Sequence, residues 1–269
     1  MPSAPKQQSV ERAGCALGVV FALAVEADGF AALATHVFDT QASGIVVREG
    51  LIAGRRVAWC VSGAGSQAAT LATQLLIDGH RPRLIASAGF AGGLCPSISR
   101  GSILYPTRVL RVTAGMTVTE TLLLADIQPE ATFPNPVTAH DPSRTTSLVS
   151  VDHVVYTAAE KRELFSCTGA VVVDMESFSV ASRSHAVGVR CASVRVVSDA
   201  AEQELPPEIG RLVQPQSTMR RVGAALAVIG RRPRAAADMW RLWEHAVIDG
   251  KTLAVALERL CRSLPTDND

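Results

Sequence analysis

Short apolar runs rich in β-branched residues alternate with helical stripes along most of this chain, and few folds accommodate that alternation. The runs are Ile45–Arg48, Val57–Ser62, Leu84–Ala88, Ser102–Pro106, Thr146–Val151, Ala170–Val173 and Cys191–Val197, each bounded by glycine or polar residues. Helical patterns lie between several of them: Ser66–Asp78, with Ala69, Ala72, Leu75 and Leu76 on one stripe, then Ala158–Phe165 and Glu176–Ala186. The pattern predicts an α/β fold of three layers, with a mostly parallel mixed central sheet and helices on both faces. Ligands of such sheets gather at the carboxyl ends of the strands. That rule places Ser62–Ser66, Ser87–Gly93, Asp174–Ser177 and Ser198–Asp199 around one cleft.

The apolar run Cys15–Val25, behind Lys6 and Arg12 and ending in Ala22-Leu23-Ala24, imitates a secretory leader. It is too short to span a bilayer. The favoured reading is a buried strand, whose unbroken apolar character is expected where helices cover both faces. Residues 1–13 read as a polar, disordered tail, 14–208 as the catalytic domain, and 209–269 as a helical extension packed on it. The extension reads as two helices, Gln216–Ile229 and Ala235–Ser263, split by a basic turn. Trp240, Trp243, Val247, Ala254 and Leu257 fall near one face of the second helix. That face suits packing on the sheet or a twin subunit; a surface for an apolar substrate tail is the sharper alternative, since Arg211–Arg262 holds ten basic and four acidic residues.

Lysine plus arginine exceed aspartate plus glutamate by one, which gives no global field for nucleic acid or an anionic membrane. A small molecule is the expected partner and the cytoplasm the expected location. The six cysteines form no C-x-x-C pair and read as reduced, mostly buried thiols. The six histidines show no metal spacing, so no metal is expected.

Gly63-Ala-Gly65-Ser-Gln-Ala68 satisfies the G-x-G-x-x-A dinucleotide fingerprint, but the next strand, Leu84–Ala88, ends without the ribose-binding acid that fingerprint requires. A nicotinamide or flavin protein is therefore demoted. The glycines serve either tight turning or the approach of backbone amides to a polar ligand.

Five segments in order carry a resemblance. "FALAVEADGF" (Phe21–Phe30), "SGAGSQAA" (Ser62–Ala69), "ASAGFAGGL" (Ala86–Leu94), "VVVDMESFSVA" (Val171–Ala181) and "VRVVSDAAEQ" (Val194–Gln203) resemble the nucleoside phosphorylase and nucleosidase superfamily. The first is similar to the N-terminal strand and turn of methylthioadenosine/S-adenosylhomocysteine nucleosidases. "AGGLCPSISRGSILYPTRV", "AVVVDMES" and "ELPPE" are similar to the hopanoid-associated phosphorylase family, which acts on adenosylhopane.

The resemblance implies cleavage of a purine N-glycosidic bond, releasing adenine from a 5′-substituted adenosine that is lipid-linked in the hopanoid relatives. Asp199 is implied to protonate or hydrogen-bond N7 of the leaving base; its plainer role is a helix cap. Glu176 is implied to hold the ribose hydroxyls and face developing positive charge, with Met175 packed on the sugar; the alternative is an acid favoured by a helix N-terminus. Glu26 falls where the nucleosidases keep a water-orienting glutamate and Arg195 matches its companion; otherwise Glu26 is a solvated turn acid beside Asp28. Asp174, Ser198, Phe90, Ala91 and Gly92 complete the implied site.

Val154 stands where the nucleosidases carry an aromatic that stacks on the base, and the adenine edge is implied to be read by backbone near Val155. Phe90 replaces a small polar residue of the water site. Ser87-Ala88-Gly89 carries no arginine for a phosphate, which favours hydrolysis over phosphorolysis. No cofactor is implied; phosphate enters only as co-substrate of the phosphorolytic alternative. A nucleoside-binding protein without chemistry is the non-enzymatic alternative, and the relatives imply at least a homodimer.

Overall fold

The computed structural model describes residues 14–113, 115–127, 146–206 and 233–265, with side chains in the last segment from Trp243 onward. The tail 1–13, the helix expected at Gln216–Ile229, His140 and the side chain of Trp240 lie outside the described residues.

The strand read through Cys15–Val25 is shorter than expected: β1 spans Leu17–Phe21, and Ala24 already opens helix α1 (Ala24–Ala31). The break has a local cause. The carboxylate of Glu26 reaches back to accept the backbone N–H groups of Ala22 and Leu23, which satisfies donors that the first helical turn leaves bare. There follow β2 (Thr35–Ala42), β3 (Ile45–Ile52), β4 (Arg55–Val61), α2 (Ser66–His80), β5 (Leu84–Gly93), β6 (Ile103–Leu104), β7 (Arg108–Val112) and β8 (Val118–Leu123). The remainder are β9 (Ser147–Ser150), α3 (Ala158–Thr168), β10 (Val172–Asp174), α4 (Ser177–His185), β11 (Arg190–Asp199) and α5 (Pro233–Ser263).

One mixed sheet contains every described strand, in the order β2-β3-β4-β1-β5-β10-β9-β7-β8, with β11 on β5 and β6 on β11. Its centre is parallel: β4, β1, β5 and β11 run together, as do β7, β9 and β10. The flanks are antiparallel, through β2–β3–β4 and the β7–β8 hairpin, and β10 meets β5 antiparallel. The parallel majority read from the sequence thus belongs to the centre alone.

Alternation along the central strands sorts side chains into two cores. Leu17, Val19 and Phe21 of β1 and Val57 and Trp59 of β4 pack with Phe30 of α1 and Leu253, Leu257 and Leu260 of α5. Val20, Ala58 and Cys60 point the other way, toward Leu76 of α2 and Phe178 and Val180 of α4. A period of two in the strands therefore yields helix, sheet and helix layers.

From Trp243 onward, where its side chains are described, helix α5 is buried mainly beyond Ile248. At Gly250 it meets α1 so closely that a Cβ would lie 2.5 Å from the carbonyl oxygen of Val25. Beyond that contact Leu253, Ala254, Ala256, Leu257, Leu260 and Cys261 are buried, whereas Trp243 is 58% and Ile248 51% exposed. No helix among the described residues is long and apolar enough to cross a membrane.

Candidate active site

Strand β5 changes partners along one edge, and the site lies at the change. Its other edge follows β11 from Leu84 to Gly92. On the site edge β1 pairs with it from Leu84 to Ser87, and β10 takes over only at Gly92 and Gly93. The intervening backbone borders no strand there, so its polar groups need other partners.

Glu26 supplies one. Its Oε1 accepts the Phe90 N–H at 2.8 Å, while Oε2 accepts those of Ala22 (3.0 Å) and Leu23 (2.8 Å). The residue is buried, not a solvated turn acid. Burial pushes its carboxyl up from the usual range, against the pull of those N–H groups and of the Arg195 guanidinium. Arg195, on β11, is buried as well. Its Nη2 donates to Ser87 Oγ (2.5 Å) and Ser177 Oγ (2.8 Å) and pairs with Asp174 Oδ2 at 2.6 Å, while its Nε has no hydrogen-bond partner among the described residues.

Asp174 ends β10 with both oxygens engaged by protein donors. Oδ1 accepts the Ser150 hydroxyl at 2.5 Å, and Oδ2 takes Arg195 and the N–H of Ser177 at 3.1 Å. Two residues on, Glu176 holds the position before α4 without a side-chain bond to that helix, and its Oε1 accepts the Gly65 N–H at 2.7 Å. The glycine loop Ser62–Ser66 is thereby fastened to the carboxylate, with Ser66 and Ser179 hydroxyls joined beside it at 2.6 Å. Gly63 and Gly65 have φ of +85° and +102°, which side-chain-bearing residues rarely adopt. Burial, and then the charge of Asp174, raise Glu176 to about 7.

Asp199 closes β11 opposite Gly92, where a Cβ would sit 3.2 Å from Asp199 Oδ2. Gly89, beside Glu26 and Arg195, and Gly92, beside Asp199, are three residues apart on one strand, roughly 10 Å. Ser198 donates to Asp199 Oδ1 at 2.5 Å and lies 3.3 Å from the Ala91 carbonyl. Met175 and Phe90 are half-buried, Ala91 is buried, and Gly92 is half-buried between Val173 and Asp199. Val154 is half-buried, and Val155 packs in a third apolar core with Leu164 of α3.

Sequence reasoning missed Lys161. This residue is fully buried on α3, where its Nζ donates to Asp199 Oδ2 (2.5 Å), the Ala200 carbonyl (2.9 Å) and the Gln203 carbonyl (2.8 Å). The available signal was its place three residues before Leu164, on the helix's apolar face. The part played by Ser87 and Ser177 as acceptors for the Arg195 guanidinium, with Ser193 hydrogen-bonded to Ser177, also went unread. Among the described residues no group of three or more His, Cys, Asp or Glu side chains is arranged to hold a metal ion.

Comparison with known proteins places this geometry in context. The family model described as the Phosphorylase superfamily matches residues 15–230. The 5′-methylthioadenosine/S-adenosylhomocysteine nucleosidase of Actinobacillus succinogenes is 28% identical over 207 residues, covering 70% of this chain and 87% of that protein. The nucleosidase of the same name from Neisseria meningitidis, solved with methylthio-immucillin-A, superposes with a TM-score of 0.65 at 18% identity, covering 92% of this chain and 99% of that one. Futalosine hydrolase of Helicobacter pylori shares the fold at a TM-score of 0.62 and 17% identity, covering 91% and 96%.

Proposed function

The chain is an enzyme that belongs to the phosphorylase superfamily, and on that ground we propose that it is a purine nucleosidase, which hydrolyses the N-glycosidic bond of a 5′-substituted adenosine to release adenine. The observation that carries this reading is the buried Glu26, oriented by three backbone N–H groups beside Arg195.

Hydrolysis of such a bond needs a protonated leaving base, a stabilised oxocarbenium-like sugar and an aimed nucleophile. Asp199 gives a proton or a hydrogen bond to N7 as the bond from the anomeric carbon to N9 breaks. Glu176 accepts the sugar hydroxyls and faces the cationic ring, with Met175 against it. Among the described residues Oε1 of Glu26 carries a single hydrogen bond, which leaves a lone pair for water. As the water oxygen bonds to the anomeric carbon, its proton passes to Glu26, which burial already disposes to hold one. Ser198 supports Asp199, Asp174 supports Arg195, Val154, Val155, Ala91 and Gly92 line the base side, and Phe90 borders the water beside Glu26. No cofactor takes part.

For the 5′ substituent we propose a lipid, as in adenosylhopane: the hopanoid-like segments and the exposed Trp243 and Ile248 on α5 favour it. The protein is proposed to act in the cytoplasm as a homodimer or higher homo-oligomer. The deciding experiment is product analysis with methylthioadenosine, S-adenosylhomocysteine, inosine and an adenosylated polycyclic lipid, each with and without phosphate. Free adenine and a reducing sugar without phosphate are expected. A phosphate requirement with a ribose 1-phosphate product would move the chain to the phosphorylases, and intact nucleoside after long incubation would make it a binding protein. Asp199→Asn is expected to lose at least about a hundredfold in turnover.

A further inference from the structure

Four buried carboxylates, Glu26, Asp174, Glu176 and Asp199, share the site region with two buried cations, Arg195 and Lys161. Arg195 attends Asp174 and the serines. Among the described side chains Lys161 attends Asp199 alone, and its three protons are all placed: one on Oδ2 and two on the Ala200 and Gln203 carbonyls. A buried ammonium is costly unless fully paired, and solvating two backbone carbonyls alone does not call for a cation.

We propose that Lys161 is the positioning residue for Asp199: it pins Oδ2 and the turn that follows, and so presents Oδ1 to the departing base. The two oxygens differ in what holds them. Oδ2 is fixed by an ammonium that cannot turn away, whereas Oδ1 has the Ser198 hydroxyl, a rotor that can release it. The turn Ala200–Gln203 is held by the same Nζ, so the orientation of the carboxylate and the path of the chain after β11 are set together. This inference rests on the nucleosidase reading for what Asp199 does, but the Lys161–Asp199 coupling is separable from it.

The test compares Lys161→Gln, Asp199→Asn and the double variant on two substrates. One is methylthioadenosine; the other is 4-nitrophenyl β-D-ribofuranoside, whose leaving group departs without a proton. A residue acting through Asp199 lowers kcat for the nucleoside, by about tenfold or more, leaves the nitrophenyl riboside within about twofold, and adds nothing to the loss in Asp199→Asn. Equal losses on both substrates, or losses that multiply in the double variant, would overturn the proposal. Lys161→Met, which keeps the apolar stem, takes its place if Lys161→Gln does not fold.

Calorimetric binding of free adenine to the same four proteins reads the coupling without turnover, and non-additive losses are expected there too. Non-additive binding with no nucleoside cleavage by the wild type would sink the hydrolytic reading alone. Additive binding losses with cleavage intact would sink the role of Lys161 alone, and a wild type that neither binds adenine nor cleaves nucleoside would sink both.

Discussion

Glu26 and Arg195 approach each other across the space a side chain on Gly89 would fill: a Cβ there would lie 2.6 Å from Glu26 Oε1 and 2.7 Å from Arg195 Nη1. The backbone of Gly89 needs no left-handed conformation, so the constraint is room alone. Gly89→Ala is therefore expected to displace the pair while leaving the sheet intact. A misplacement of about 1 Å costs on the order of a hundredfold in rate. Steady-state kinetics beside a circular dichroism melt would check it, and an alanine variant with wild-type turnover would contradict it.

Glu26→Gln is expected to be destabilising as well as inactive. Both oxygens of Glu26 accept backbone N–H groups, so the NH2 of a glutamine must face a donor whichever way the amide is turned. The mismatch is expected to cost about 1 to 3 kcal/mol. A denaturant titration giving unchanged stability would show that the three N–H groups do not hold Glu26 as described.

Glu176 sets a pH dependence of stability. Burial and Asp174 raise it from its ordinary 4.5 to about 7, so the folded chain binds this proton more tightly than the unfolded one. The associated stability is fully present below about pH 4.5 and lost as pH rises through 7. In Glu176→Gln that decline is expected to shrink, by on the order of 2 kcal/mol across the window. Chemical denaturation at pH 5 and pH 8 measures it; parallel profiles for the two proteins would refute the assignment.

Gly250→Ala probes the seat of α5. The added Cβ would sit 2.5 Å from the Val25 carbonyl and force α5 away from the helix that carries Glu26. Overpacking of this kind costs typically about 1 to 3 kcal/mol. A lower Tm with reduced turnover is the expected pair of results, and a drop in Tm alone would separate α5 from the site.

What the sequence made legible was the part governed by short-range pattern. Apolar runs located β3, β4, β5, β6, β9, β10 and β11, and the resemblance of five segments singled out Glu26, Glu176 and Asp199, whose side chains are all buried. Strands β2 and β8 escaped because their pairing is lateral: Thr35–Ala42 and Val118–Leu123 are largely exposed, so no apolar alternation marks them. The end of β1 at Phe21 escaped because it depends on hydrogen bonds that the Ala22 and Leu23 N–H groups donate to the Glu26 side chain, which composition cannot reveal. Lys161 escaped for a related reason. In "AAEKREL" it reads as one charge among several on a helix surface, and only the fold discloses that this position faces Asp199.

The cysteines followed expectation in general: Cys15, Cys60, Cys191 and Cys261 are buried free thiols, whereas Cys95 is half-buried and Cys167 exposed.

The change of partner along β5 has a consequence for how such a protein diversifies. Where one margin of a strand is bordered by side chains drawn from distant segments, a new nucleophile or a new sugar substituent needs only different visitors at that margin. The strand's pairing with β11 on the opposite margin carries the framework regardless. Because β11 also delivers Arg195 and Asp199, it is the open margin, with Glu26, that can vary around residues the framework strand itself holds.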